Sequence, residues 1–259
     1  MSEVVLQVND VSVAFGGLQA LSNVTFDVKA GEILGIIGPN GAGKTTLLNV
    51  LSRFTRPAKG ARIRLGTTEL LSTPADRLVD AGLGRTFQSV ELSAADTVLD
   101  NVLAGASRAY ERSGLAWCFL GDLRKRAQRD EARDLALSTL DLFGVAQYAL
   151  QRARDVPYAV QKRTQVCRAL MGRPKLLLLD EPASGMEQGE KHELREALMR
   201  QHAGSGMSMI VIEHDVSFLT RMCRRMLALD FGKVIAFGTA PEVVGAPAVV
   251  SAYLGADES

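Results

Sequence analysis

An unbroken match to the pattern GxxxxGK[ST] constrains this chain more than any other feature of its sequence. The match consists of Gly38, Pro39, Asn40, Gly41, Ala42, Gly43, Lys44 and Thr45. An apolar run that predicts a buried strand precedes it, and a leucine-rich helical pattern follows it. Small residues let successive backbone N–H groups curl around phosphate oxygens, and the helix N-terminus adds its positive dipole. The sequence therefore predicts a nucleotide-binding loop between a strand and a helix.

Three residues at the start of the predicted helix are expected to contact the nucleotide. Lys44 is expected to reach the β- and γ-phosphates as a point charge, and the Thr45 hydroxyl to complete a Mg²⁺ shell. Thr46 follows directly. The alternative is a chance glycine-rich turn, but the flanking strand and helix are the context that the chemistry requires.

A second apolar run, 176–179, ends in the carboxylates Asp180 and Glu181. Ligands of α/β sheets bind at the carboxyl ends of the strands. We expect Asp180 to hold Mg²⁺, usually through water, and Glu181 to polarise the attacking water as a general base. His214 follows another apolar run and is a candidate sensor of the γ-phosphate, although a lone histidine is more often a surface or core residue.

Composition excludes several classes of protein. The 259 residues carry 30 Lys and Arg against 29 Asp and Glu, which predicts no nucleic-acid partner. The three cysteines, Cys118, Cys167 and Cys223, form no CxxC pair, which argues against a disulfide framework and a structural zinc site. We find no secretory signal and no run of about 18 apolar residues, so we expect a cytosolic chain whose membrane spans, if needed, belong to other subunits.

The order of predicted elements indicates an α/β fold. Short β segments are expected at 3–8, 11–15 and 24–28, and strands alternate with helices again after residue 174. Residues 92–157 read as long amphipathic helices that interrupt the core. We predict one domain with a core of 1–91 and 158–240, a helical insert at 92–157 and a tail at 241–259. The apolar segment 113–121 either packs within the insert or faces a membrane subunit.

These motifs, together with Gln88 in RTFQ, resemble the ATP-binding subunits of ABC transporters. The resemblance implies a P-loop NTPase (RecA-like) core, an N-terminal antiparallel β subdomain and an inserted α-helical subdomain. It implies ATP and Mg²⁺ as cofactors, with Gln88, Glu181 and His214 catalytic and Gln88 also near the metal. Phe15 is similar to the aromatic that stacks on adenine, although an aromatic that ends a short strand is usually a core residue.

The segments FGGLQAL, RTFQ, EPASGM, VIEHDV and SAYLG look like those of branched-chain amino acid importers. Importers of urea and short amides and the lipopolysaccharide-export ATPase share much of this pattern. The resemblance implies transmembrane permease subunits, a second ATPase subunit and an extracytoplasmic binding protein, with the chain held at the cytoplasmic face of the inner membrane. A lipid or glycolipid exporter is the alternative, and a non-transport ABC protein, a non-hydrolysing regulatory subunit and a GTPase are disfavoured.

One family motif departs from its pattern. The signature that completes the partner's ATP site in this family is LSGGQ. The aligned residues are Val156, Pro157, Tyr158, Ala159 and Val160, with Gln161 following. Pro157 has no hydroxyl, Ala159 adds a Cβ where backbone must approach phosphate, and Val160 cannot donate a hydrogen bond. We interpret the signature as degenerate, which favours a heterodimer over a homodimer. Neutral drift in a working motif is the alternative.

Overall fold

The computed structural model describes residues 3–106 and 122–254, with the backbone alone for 122–126. Contacts divide this part of the chain into two units. The first contains 3–85, 175–181 and 205–254, and the second contains 86–106, 122–174 and 182–204. The domain boundaries expected from sequence stay a prediction. Cys118 and the segment 113–121 lie outside the described residues.

Alternating apolar residues build a four-stranded antiparallel sheet in the first unit. Its order is β2-β1-β4-β5, where β1 is Val4–Phe15, β2 is Leu18–Lys29, β4 is Arg62–Leu65 and β5 is Thr68–Glu69. The two strands expected at 3–8 and 11–15 are one continuous strand. A register shift between Val8 and Val11, with Asp10 at φ 54°, lets β1 pass through the polar residues that suggested a break.

A six-stranded sheet carries the apolar runs of the sequence. Its order is β10-β9-β3-β8-β7-β6, formed by Lys233–Thr239, Arg225–Asp230, Ile33–Ile37, Ser208–Ile212, Leu176–Asp180 and Leu83–Arg85. Strands β9, β3, β8, β7 and β6 run parallel, as expected, whereas β10 pairs antiparallel with β9. Every residue of β3, β7 and β8 is buried, which explains their unbroken apolar sequences.

The helices of the first unit are α1 (Lys44–Leu51), α6 (Val216–Thr220), α7 (Ala240–Val244) and α8 (Pro247–Leu254). Helices of the second unit are α2 (Val98–Ala104), α3 (Asp122–Leu142) and α4 (Tyr158–Leu170), and α5 (Gln188–Ser205) lies in it except for its last residue. Single 3₁₀ turns occur at Leu70–Ser72, Ala75–Arg77, Ala146–Tyr148 and Ala153–Asp155. Within the described ranges, none of the helices has the length and apolar character needed to cross a membrane.

The hairpin between β9 and β10 contains a strained residue. Asp230 pairs with Lys233, so Phe231 and Gly232 form a two-residue loop with φ values of 41° and 74°. Such loops favour Asn-Gly, because both positions need a positive φ that bulky residues adopt at a cost. The Phe231 side chain is 83% exposed and thus gains little from packing to offset this strain.

We expect Phe231→Asn to stabilise the protein by about 1 kcal/mol, since asparagine tolerates the left-handed region far better than phenylalanine. For a chain of this size the melting temperature should rise by roughly 2–4 °C. Phe231→Ala is the matched control, because it removes the ring without bringing the conformational preference of asparagine. Equal melting temperatures for the two variants in differential scanning calorimetry would contradict the proposed backbone strain at Phe231.

Candidate nucleotide site

The phosphate loop of the first unit connects β3 to α1 and contains two positions that leave no space for a side chain. A Cβ on Gly38, whose φ is 152°, would lie 2.2 Å from the carbonyl oxygen of Leu229. A Cβ on Gly43, whose φ is 101°, would lie 2.6 Å from the carbonyl oxygen of Ala20. These glycines are therefore required by both backbone conformation and space.

Lys44 is folded over the loop and is only 6% exposed. Its ammonium donates hydrogen bonds to the carbonyl oxygens of Gly38 and Pro39, at 2.6 and 2.9 Å. Burial lowers the pKa of Lys44, while the charges of Glu181 and Asp180 act in the opposite direction. Thr45 is exposed in the first turn of α1. A buried ammonium group, that of Lys44, thus lies next in sequence to an exposed threonine, Thr45.

The two carboxylates emerge where β7 ends. Asp180 and Glu181 are 1% and 6% exposed, and the N–H of Glu181 donates to the carbonyl oxygen of Ile212 at 3.0 Å. Glu181 has φ 47°, a left-handed conformation that is costly for a residue with a side chain. Such strain clusters at functional sites, where surrounding structure holds it in place.

His214 lies against the proposed base. Its Nε2 is 2.7 Å from Oε1 of Glu181, and the histidine side chain is 44% exposed whereas that of Glu181 is 8% exposed. The imidazole therefore reaches from the surface to a buried carboxylate. This contact gives His214 a specific partner at the site, beyond the surface or core role that a lone histidine usually has.

Arg85 is a residue of this site that the sequence analysis missed. Its guanidinium donates to the carbonyl oxygen of Leu48 at 3.1 Å and to Oδ1 of Asn49 at 2.9 Å, both on α1. It also pairs with Asp180, at 3.4 Å between Nη2 and Oδ2. Arg85 thereby ties the carboxylate to the helix that follows the phosphate loop. The sequence feature that could have indicated this role is the arginine of RTFQ, which ends the short strand β6, since a buried arginine side chain needs several acceptors.

Phe15 is 54% exposed at the end of β1, opposite Leu18 in the hairpin. The core interpretation of this aromatic is therefore wrong, because a core ring would be covered. Its role in stacking on adenine stays a prediction. An exposed aromatic face next to a hairpin is compatible with a base as partner.

In the second unit, α4 holds the segment that contains Gln88. Lys162 donates to the carbonyl oxygen of Gln88 at 2.6 Å, and Gln165 donates to that of Ser89 at 2.9 Å. The Gln88 residue itself is exposed. The backbone is thus held while the side chain stays accessible, which suits a residue expected to contact a ligand.

The aligned signature residues begin α4. Pro157 is the N-cap and makes no capping hydrogen bond through its side chain, and Tyr158 is 46% exposed. Ala159 and Val160 are buried, at 8% and 7% exposed, and Gln161 donates to the carbonyl oxygen of Val156 at 3.0 Å. The two unusual residues therefore have buried apolar side chains.

The residues fit Mg²⁺ bound together with a nucleotide. Among residues 3–106 and 122–254, no group of three or more His, Cys, Asp or Glu residues could hold a metal by itself. Mg²⁺ in nucleotide sites needs less, because it keeps several waters and takes its other oxygens from phosphates and one or two protein groups. The Thr45 hydroxyl and the Asp180 carboxylate have the required oxygen chemistry.

Comparison with known proteins agrees with this geometry. Residues 21–184 match the family model described as ABC transporter. The chain is 35% identical to the high-affinity branched-chain amino acid transport ATP-binding protein LivG of Salmonella typhimurium, over 98% of this chain and 99% of that protein. It is 32% identical to the high-affinity branched-chain amino acid transport ATP-binding protein BraF of Pseudomonas aeruginosa, over 98% of this chain and 99% of that protein. The chain belongs to the ABC transporter family.

Solved structures of ABC proteins share the fold. The ADP conformation of an ATP-binding cassette of an ABC transporter matches with a TM-score of 0.82 and 26% identity, over 98% of this chain and all of that one. A nucleotide-free cassette matches with a TM-score of 0.81 and 25% identity, over 96% and 98% of the two chains. The predicted fold class and the predicted ABC family are confirmed. The chain is an ABC ATPase, a peripheral subunit that works with transmembrane permease subunits.

Proposed function

We propose that this ABC ATPase powers the import of branched-chain amino acids or related small amides by hydrolysing Mg²⁺-ATP. The observation that carries the ATPase site is the convergence of buried Lys44, Asp180 and Glu181 in one unit, with His214 at 2.7 Å from Glu181. Cation, metal-binding carboxylate and general base are the groups that phosphoryl transfer to water requires.

The protein's residues divide the work of hydrolysis. The loop from Gly38 to Thr46 is proposed to bind the phosphates through its amides, with Lys44 leaving its own carbonyl partners for phosphate oxygens. Glu181 polarises the attacking water, and His214 holds the carboxylate in place from the outside.

The proposed Mg²⁺ ligands are Thr45, Asp180 and Gln88. When bound, Mg²⁺ neutralises charge that develops on the phosphate oxygens. Arg85 supports this arrangement because it restrains Asp180 from the side of α1.

The substrate proposal rests on the names of the relatives. LivG and BraF are both named as branched-chain amino acid transport proteins, and each aligns over 99% of its length. These names favour an amino acid over the alternative of a lipid or glycolipid.

The substrate proposal is tested with the assembled transporter. A binding protein that carries a branched-chain amino acid should stimulate its ATP hydrolysis, whereas the same binding protein without an amino acid should not.

The proposed assembly contains more than the permease subunits. We place the chain at the cytoplasmic face of the inner membrane, beside a second ATPase subunit and with an extracytoplasmic binding protein on the other side. The changed residues at 159 and 160 support a partner ATPase that carries an intact signature, because two copies of this chain would face each other with two altered ones. No nucleic-acid partner is proposed, in line with the balanced charge.

The nucleotide site is tested by Lys44→Ala. We expect affinity for a fluorescent ATP analogue to fall at least about tenfold, because one charged hydrogen-bonding group contributes roughly 1.5–3 kcal/mol. Lys59→Ala is the matched control, since Lys59 is an exposed lysine of the same unit. Unchanged affinity in the Lys44 variant would remove this lysine from the phosphate site.

A further inference from the structure

The last described helix reaches back to the start of the phosphate loop. The hydroxyl of Tyr253, on α8, accepts a hydrogen bond from the backbone N–H of Gly38 at 2.9 Å, across 215 positions of sequence. Burial raises the pKa of Tyr253, so the phenol is neutral at physiological pH. Both residues belong to the first unit. The contact therefore joins α8 directly to the nucleotide site.

Gly38 needs this partner because the chain leaves the sheet there. The pairing of β3 with β9 extends to Ile37, and its pairing with β8 extends to Ile36. Gly38 is buried, and a buried backbone N–H without an acceptor costs about 1–3 kcal/mol. The Tyr253 hydroxyl supplies that acceptor at the first residue beyond the paired strand.

Two side chains hold Gly38 from opposite ends of the residue. Its N–H is held by Tyr253, and its carbonyl oxygen accepts from Lys44 at 2.6 Å. In the proposed nucleotide-bound state Lys44 turns to phosphate oxygens, and this carbonyl loses its ammonium donor. Tyr253 is then the side chain that continues to position Gly38 while the nucleotide is bound.

Helix α8 buries one of its apolar side chains. Val249 is 3% exposed, whereas Val250 and Leu254 are 44% and 66% exposed. Tyr253 is partly buried and lies four residues after Val249, so the two side chains share one side of the helix. A movement of this helix would move the acceptor of the Gly38 N–H.

We propose that Tyr253 is a positioning residue, which holds the first residue of the phosphate loop in the conformation that binds nucleotide. The proposal rests on the proposed function, since it needs ATP and ADP to bind at this loop. It has a reciprocal consequence, because a restraint that favours nucleotide binding is itself strengthened by the nucleotide. Bound nucleotide therefore protects α8 from opening.

Tyr253→Phe tests the proposal, because it removes the hydroxyl and keeps the ring. We expect affinities for ADP and ATP to fall about three- to tenfold, as one neutral hydrogen bond contributes roughly 0.5–1.5 kcal/mol. The nucleotide-free variant should also melt roughly 2–4 °C lower than the unaltered chain, because the buried Gly38 N–H loses its acceptor. Tyr148→Phe, in the second unit, is the matched control and should leave both affinities unchanged.

Amide hydrogen exchange gives an independent measurement. In the unaltered chain, saturating ADP should slow exchange in 247–254, and in Tyr253→Phe this protection should be lost. Unchanged affinity and retained protection in the variant would overturn the proposal alone. A variant that melts lower but binds ADP and ATP with normal affinity would assign Tyr253 to the fold alone and also overturn it. Failure of the unaltered chain to bind nucleotide would overturn the proposed function as well.

Discussion

Replacing Glu181 by glutamine is expected to lower the turnover of ATP hydrolysis about 10²–10⁴-fold, while ATP binding persists. The substitution removes the base but keeps the shape of the side chain and its place at the end of β7. The phosphate cradle and Lys44 are untouched, so nucleotide affinity should change little. Steady-state phosphate release by the assembled transporter measures turnover, and equilibrium binding of a fluorescent ATP analogue measures affinity.

A matched control separates loss of the base from loss of a negative charge. Glu131→Gln makes the same chemical change at a side chain that is 61% exposed and pairs with the exposed Arg173. This variant should retain full turnover. If Glu181→Gln keeps more than about half of normal turnover, Glu181 is not the general base.

Restoring the signature is expected to raise ATP hydrolysis by the isolated chain at least about tenfold. In the double substitution, Ala159→Gly removes the Cβ that hinders the approach of the backbone to phosphate, and Val160→Gln supplies a side-chain hydrogen-bond donor. Both changes act on a site that must neutralise the charge of the γ-phosphate. Preorganised donors of this kind contribute about 10²–10³-fold each in well-studied enzymes. In the assembled transporter the same change should have little effect, because the proposed partner already supplies an intact signature.

The burial of both residues requires two controls for this experiment. Ala159→Gly alone tests the backbone approach without placing a polar side chain at the buried position of Val160. Glu181→Gln in the restored background should abolish the gain, which assigns the activity to this chain's own base. If the isolated chain already turns over like an ordinary transporter ATPase, and the restored signature adds nothing, neutral drift explains the altered residues.

Local sequence patterns were sufficient for the elements whose residues are close in the chain. The loop from Gly38 to Thr45 could be recognised because its function needs small residues at set spacings before a helix. Strands β3, β7 and β8 could be recognised because burial on both faces demands unbroken apolar runs. The parallel sheet follows from the alternation of strands and helices. These features depend on neighbours along the sequence, and so the sequence by itself determined them.

Contacts between distant residues were decided only by the tertiary structure. Only the structure shows that Phe15 is exposed. It also brings together residues from segments that lie far apart in sequence: His214 with Glu181, Arg85 with α1 and Asp180, and Gly38 with Tyr253. The periodicity of the sequence does not predict which strand ends lie together in the folded chain. The side chains of His214, Arg85 and Tyr253 each bind a buried polar group that takes its position only when the sheet assembles. Their roles could therefore be assigned only from the folded chain.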